Sequence, residues 1–187
     1  MNLPRVAKTF FRLIDRQVGP FDQPIQFHVF PFDAGGSLNF LTKGAGHERF
    51  VTYVTWDLFG HADQKRGGLG RYEIVAHCDD EEWCLNVLNN ISRQSLSEVF
   101  EPGDTLDIGP WVGSEESIQG VVFEEMLRTL VRDGSRREPC GLLRCIGITR
   151  LELEYAMKHG VPLLVEHLKR AEIHPYTVVH RDSVELP

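Results

Sequence analysis

Four cysteines and eight histidines are the residues of this 187-residue chain best suited to hold a metal. Structural zinc draws its thiolates from short-spaced pairs such as C-x2-C, presented by turns. The pairs here are Cys78-x5-Cys84 and Cys140-x4-Cys145. If residues 140–146 form a regular strand, Cys140 and Cys145 lie an odd number of positions apart and face opposite sides of the sheet. They then cannot chelate one ion, and buried reduced thiols without metal or cofactor are the expectation. EPCGLLRC also echoes the P-C-x-x-C half of the zinc deaminase signature. Its second cysteine is two positions too far along, and no His-x-Glu occurs.

Nucleophilic and phosphate chemistry find no better footing. There is no G-x-S-x-G elbow, and WVGSEES lacks the pattern. GAGHER and GGLGR carry glycines, but neither fits a phosphate-binding turn running from strand into helix. The acids at Asp79–Glu82, Glu115-Glu116 and Glu124-Glu125 read as helix starts and solvated faces. No catalytic constellation emerges, so the chain reads as a non-enzyme. The alternative is a small enzyme or ligand-binding protein whose site is assembled from scattered residues such as His28, His77 and Asp79.

Binding chemistry has stronger candidates. Thr55–Gly70, TWDLFGHADQKRGGLG, sets Trp56, Leu58 and Phe59 at a strand end before a glycine-rich loop expected to be mobile. Trp111 has a comparable turn setting in IGPWVGS. Aromatics flanked by polar residues are what binding patches use, although Leu58 and Trp83 are expected to fold back onto the core. The formal net charge is −7, and it is uneven: residues 1–93 hold 10 basic and 11 acidic side chains, residues 94–187 hold 10 and 16. An acidic surface repels phosphate backbones, which argues against nucleic acid and for a basic protein partner, besides keeping the chain soluble. Trp56, Phe59 and Trp111 are the candidate anchors; Asp79, Asp80, Glu81 and Glu82 are the candidate steering charges.

The elements that must position these residues are legible in outline. At 42% hydrophobic and 25% charged residues the composition is globular, and 187 residues suit one domain spanning 1–187. No apolar run reaches the roughly 18 residues of a membrane helix. The start, MNLPRVAKTFFRLIDRQVG, is broken by charges, so a cytoplasmic location is expected. A first helix is expected over Pro4–Val18, with Val6, Phe10, Leu13, Ile14 and Gln17 at helical spacing. IQFHVFPF, SLNFLTKG, RFVTYVTW and YEIVAHC read as strands of a meander.

A helix should begin at Asp79, with Glu82 completing a capping-box-like start and Cys84, Val87, Leu88 and Ile91 on its inner face. IQGVVFEEML and CGLLRCIGI read as later strands joined by the polar connection RDGSRREP. Thr149 and Glu152 form a capping box, after which Leu153, Ala156 and Met157 share a face. Gly160 ends that helix with the left-handed conformation, and Pro162 opens another whose stripe is Val161, Leu164, Val165, Leu168 and Ala171. The fold class is therefore α+β: a mixed, largely antiparallel sheet flanked by helices, with a C-terminal helical hairpin.

Read together, QPIQFHVFPF with LTKG, RYEIVAHCDDEEWCLNVLNNIS, EPGDTLDIG and GITRLELEYAMKHGVPLLVEHLKRAEIHPYTVVHRDSV resemble the Suppressor of fused-like domain family. The last stretch carries most of the likeness: a Glu-rich helix, a Gly, a Leu-rich helix, and a tail matched by Arg181, Ser183 and Val184. The likeness runs from about Gln23 to Val184, although a T-S-G-M type stretch is TKGAG here. The resemblance implies an α+β domain that binds protein and supplies no catalytic residues. Eukaryotic relatives bind a peptide between this domain and a second one, a groove not expected here. Stand-alone bacterial members are proposed immunity proteins of polymorphic toxin systems. The resemblance thus implies a toxin-neutralising binder, and the charge balance a basic toxin.

Overall fold

The structure is a computed structural model. It describes the chain apart from residues 1–4, 22–26, 32–36, 45–47, 57, 114 and 134, and apart from the side chains of 5–8, 27–31, 37–38 and 133. Among the described residues seven strands form one sheet in the order β1-β2-β3-β4-β7-β6-β5. The elements in chain order are α1 (Arg5–Val18), β1 (Phe27–Pro31), β2 (Ser37–Lys43), β3 (Val51–Thr55), β4 (Arg71–Cys78), α2 (Glu81–Gln94), β5 (Thr105–Asp107), α3 (Gly109–Val112), β6 (Ile118–Asp133), β7 (Arg136–Thr149), α4 (Arg150–His159) and α5 (Val161–Arg170). Neighbours are antiparallel except β4 and β7, which run parallel. Parallel neighbours need a crossover rather than a tight turn, and α2, β5, α3 and β6 lie between them in the chain.

Strand alternation divides the core between the two faces of the sheet. Tyr72, Ile74, Ala76 and Cys78 of β4 and Leu143 and Cys145 of β7 pack with Trp83, Cys84, Val87, Leu88 and Ile91 of α2. On the opposite face Val75, Cys140 and Leu142 pack with Phe10, Phe11 and Ile14 of α1. Farther along that face Val122, Ile146 and Ile148 receive Leu153, Ala156, Leu164, Val165 and Leu168 of the α4–α5 hairpin. Cys140 and Cys145 thus belong to opposite faces, as their odd spacing requires.

Several expectations change at the level of single residues. The connection RDGSRREP is shorter than expected: β6 and β7 extend into it to the pair Asp133–Arg136, as a ribbon whose polar pattern hid its pairing. Gln17 is exposed on α1, and Pro4 and Val6 lie outside the described residues or side chains. Met157 is 73% exposed and Ala171 is exposed too, since the hairpin seats only its Leu153 and Leu164 side on the sheet. Gly160 has φ 93° with ψ 147°, so it breaks the helix with positive φ but not with a left-handed helical turn. The cap of α2 is Asp80, one residue later than expected.

Candidate functional site

Trp56 and Phe59 face the side of the sheet that α1 covers. Glu73 of β4 is fully buried; its Oε1 accepts the Phe59 N–H at 2.8 Å and its Oε2 accepts the Thr55 hydroxyl. The Thr55 Oγ1 accepts the Ile74 N–H at 2.8 Å, so one carboxylate and one hydroxyl fix the start of the loop against β4. Arg71 donates to the Phe59 carbonyl at 2.9 Å, and buried Gln64 donates to the Tyr72 carbonyl at 2.7 Å. The glycine-rich segment expected to be mobile is therefore tied down at its strand end and its middle. Phe59, 4% exposed, stacks on Phe10 at 4.6 Å between centroids, and Trp56 stacks on Phe11 at 3.6 Å. Phe59 is core and offers a partner no usable surface; Trp56 is half-buried with one face already used.

Trp111, Asp80 and Glu82 lie on the other side of the sheet and come together there. At the start of α2 the Asp80 carboxylate accepts the Trp83 N–H at 2.8 Å, an N-cap that satisfies an otherwise free donor. Glu81 and Glu82 follow in the first turn, where the positive end of the helix favours them. Opposite them, α3 carries Trp111, whose carbonyl accepts from Asn86 of α2 at 3.4 Å. The base of α3 is held by Asp107, which accepts the Gly109 N–H at 2.9 Å and binds Arg150 of α4 through two bonds of 2.7 and 2.9 Å. That arginine holds the Asp107 carboxyl below the usual carboxylate range, with help from the Gly109 N–H.

Between α2 and α3 opens a groove of about 330 Å³ lined by Asp80, Glu82, Trp83, Asn86, Trp111, Val112, Glu116, Val179 and His180. Asn86 and His180 were not singled out in the sequence, and Glu116 was not read as part of a binding site. Glu116 belongs to a pair of acids that read as solvated, and His180 arrives from a distant part of the chain. Glu81 and Asp79 do not line it.

Asp79 has a different task, and it explains the tail. Its Oδ1 accepts the Val179 N–H at 2.9 Å, which fixes one wall of the groove. Just before, Thr177 donates its N–H to the His77 carbonyl at 2.7 Å, and its hydroxyl accepts the Gly147 N–H at 2.8 Å. Position 147 must be glycine for this crossing: a Cβ there would lie 2.6 Å from Thr177 and 2.8 Å from Ile118. Beyond it, Arg181 grips the fully buried Glu152 with bonds of 2.5 and 2.7 Å. Glu152 also accepts the Val184 N–H at 2.8 Å and the Thr149 N–H at 2.9 Å, while the Ser183 and Thr149 hydroxyls meet at 2.7 Å. A buried carboxylate needs a paired charge and filled lone pairs, and the Arg181-x-Ser183-Val184 tail provides both. The capping box is thus also the receptor of the tail.

Of the scattered residues of the enzyme alternative, His77 and Asp79 each have internal partners. The His28 side chain lies outside the described residues. The His77 ring meets the Thr52 hydroxyl at 2.8 Å; burial, then the charges of Arg144 and Lys43, lower its pKa to about 4. Asp79 is engaged by the tail. All four cysteines are free and buried, and burial pushes the Cys140 thiol up to about 12 and the Cys84 and Cys145 thiols up as well. Among the described residues no group of three or more His, Cys, Asp or Glu could hold a metal ion. No helix among them is long and apolar enough to cross a membrane.

The family described as Suppressor of fused protein (SUFU) matches residues 22–182. No curated protein matches the chain in sequence. Among solved structures, a SUFU homologue from Neisseria gonorrhoeae is similar with a TM-score of 0.65 at 17% identity, over 97% of this chain and 98% of that one. A chain of the Sufu-Fu complex is similar with a TM-score of 0.69 at 13% identity, over 98% of this chain and 93% of that one. Drosophila Suppressor of Fused is similar with a TM-score of 0.56 at 14% identity, over 86% of this chain and 42% of that one. At these identities the likeness to solved structures establishes the fold.

Proposed function

The chain belongs to the Suppressor of fused protein family, and from that membership we propose that it is a non-catalytic protein-binding domain acting in the cytoplasm. The observation that carries this reading is the match over nearly the whole chain to a protein crystallised in a complex with Fu. The site chemistry agrees with it. Three buried polar side chains are committed to internal partners: Glu73 to a loop, Glu152 to the tail, His77 to Thr52. The finer form of the proposal is an immunity protein that neutralises a toxin by binding it, the toxin being basic. The net charge of −7 supports that choice of partner, because complementary charge raises encounter rates.

Co-purification of the tagged chain with the products of its neighbouring genes tests the proposal. A stoichiometric partner whose toxicity is suppressed by co-expression supports both levels. A partner without toxicity removes the immunity role and keeps the binding role. Turnover of a small substrate by the chain alone would overturn the non-catalytic reading.

A further inference from the structure

The groove between α2 and α3 carries three carboxylates, Asp80, Glu82 and Glu116, and the cation-capable group among its lining residues is His180. The positive end of α2 offsets part of that charge, yet the concavity stays negative. Trp111 is half-buried at its edge, with the rest of its ring against the core. Trp83, one of the lining residues, is 8% exposed, and its buried indole N–H has no hydrogen-bond partner among the described residues. A buried donor left unpaired costs free energy that a complex could recover by supplying an acceptor.

We propose that this groove binds a cationic segment of a protein partner, with an arginine side chain over the Trp111 indole and between the Asp80, Glu82 and Glu116 carboxylates. The inference rests on the protein-binding reading above and adds the site and chemistry of recognition. A guanidinium suits the groove better than an ammonium. It is planar, stacks on an indole, and engages carboxylates through two parallel N–H bonds. A main-chain carbonyl of the same segment completes the Trp83 N–H. Concave walls of one sign also concentrate such a ligand and speed its arrival.

The test uses the full chain and three fluorescent peptides: alternating arginine-glycine, its lysine-glycine analogue, and a glutamate-glycine control. Anisotropy titrations at low and moderate salt give the affinities. The arginine peptide should bind tightest, the lysine peptide more weakly, and the glutamate peptide not at all. The double variant E82Q/E116Q should weaken arginine-peptide binding about tenfold, the sum of two exposed charge pairs. Trp83→Phe removes the donor and should weaken it severalfold while keeping the ring. Both variants should melt within a few degrees of the parent. Equal affinity of parent and E82Q/E116Q would overturn the groove as the site, as would absence of arginine-peptide binding. Capture of the physiological partner separates the two readings. If parent and E82Q/E116Q capture a partner equally well, the binding role stands and the groove is removed.

Discussion

Trp56 and Trp111 have matching settings in the sequence, each at the end of an element beside glycines, yet the fold uses them in opposite ways. Trp56 is stacked against Phe11 of α1, and neighbouring Phe59 against Phe10. Trp111 stands half-covered beside a groove with three carboxylates. The difference comes from a helix supplied elsewhere in the chain: α1 lies over one face of the sheet and takes up the first pair of rings. An aromatic beside a glycine turn marks where the chain bends. Whether the ring is free depends on which distant element arrives to cover it.

The largest effect should come from uncovering the Trp56 side. Phe10→Ala removes the ring on which Phe59 stacks and should cost about 3–5 kcal/mol in denaturant unfolding. Trp56 emission should shift to the red at the same time. A loss below about 1 kcal/mol would mean that α1 does not seal that face, and the contrast with Trp111 would collapse.

The wall of the Trp111 groove is tested next. Arg181→Met leaves Glu152 buried without its charge partner and should cost about 3 kcal/mol or more. Adding Glu152→Gln in the same chain should recover much of this, because the stranded charge is gone. A fully additive double variant would contradict the pairing seen at 2.5 and 2.7 Å.

A third test uses pH on the α1 side of the sheet. His77 titrates near 4 in the folded chain, below its ordinary value of 6.5, mainly through burial. Between these values the unfolded chain binds the extra proton, so stability is fully present above about 6.5 and falls as pH drops towards about 4. The full loss is about 3 kcal/mol. His77→Gln should flatten this part of the stability profile. An unchanged slope would assign the acid sensitivity to other groups.

The smallest effect on folding belongs to half-buried Trp111. Trp111→Ala should cost about 1 kcal/mol or less, since a half-buried ring loses little burial when removed. A cost as large as that of Phe10→Ala would make Trp111 a core residue and weaken its case as an anchor.

What the sequence revealed, and what it hid, follows the range of the interactions. The Thr149–Glu152 capping box, the Leu164–Leu168 stripe and the opposed Cys140 and Cys145 depend on neighbours a few residues away, and local spacing exposes them. The second use of Glu152 depends on Arg181, 29 residues on, and no local pattern announces it. Asp79 looked like a cap because it precedes a helix by the right distance. Val179 claims it, and the next acid caps instead. The strand ends in RDGSRREP escaped because a ribbon solvated on both faces loses the apolar alternation that marks strands. The candidate anchors separated for the same reason. Helical periodicity shows that α1 has an inner face, but not which rings that face will meet.

Amide hydrogen exchange of the chain, alone and bound to its co-purified partner, locates the binding surface. Binding at the α2–α3 groove predicts new protection at Trp83–Asn86 and at Trp111–Val112, with the exchange of Arg5–Val18 and Leu58–Gly60 unchanged. Protection confined to α1 and Leu58–Gly60, with the groove exchanging as before, would contradict it and move the binding surface to the opposite face of the sheet.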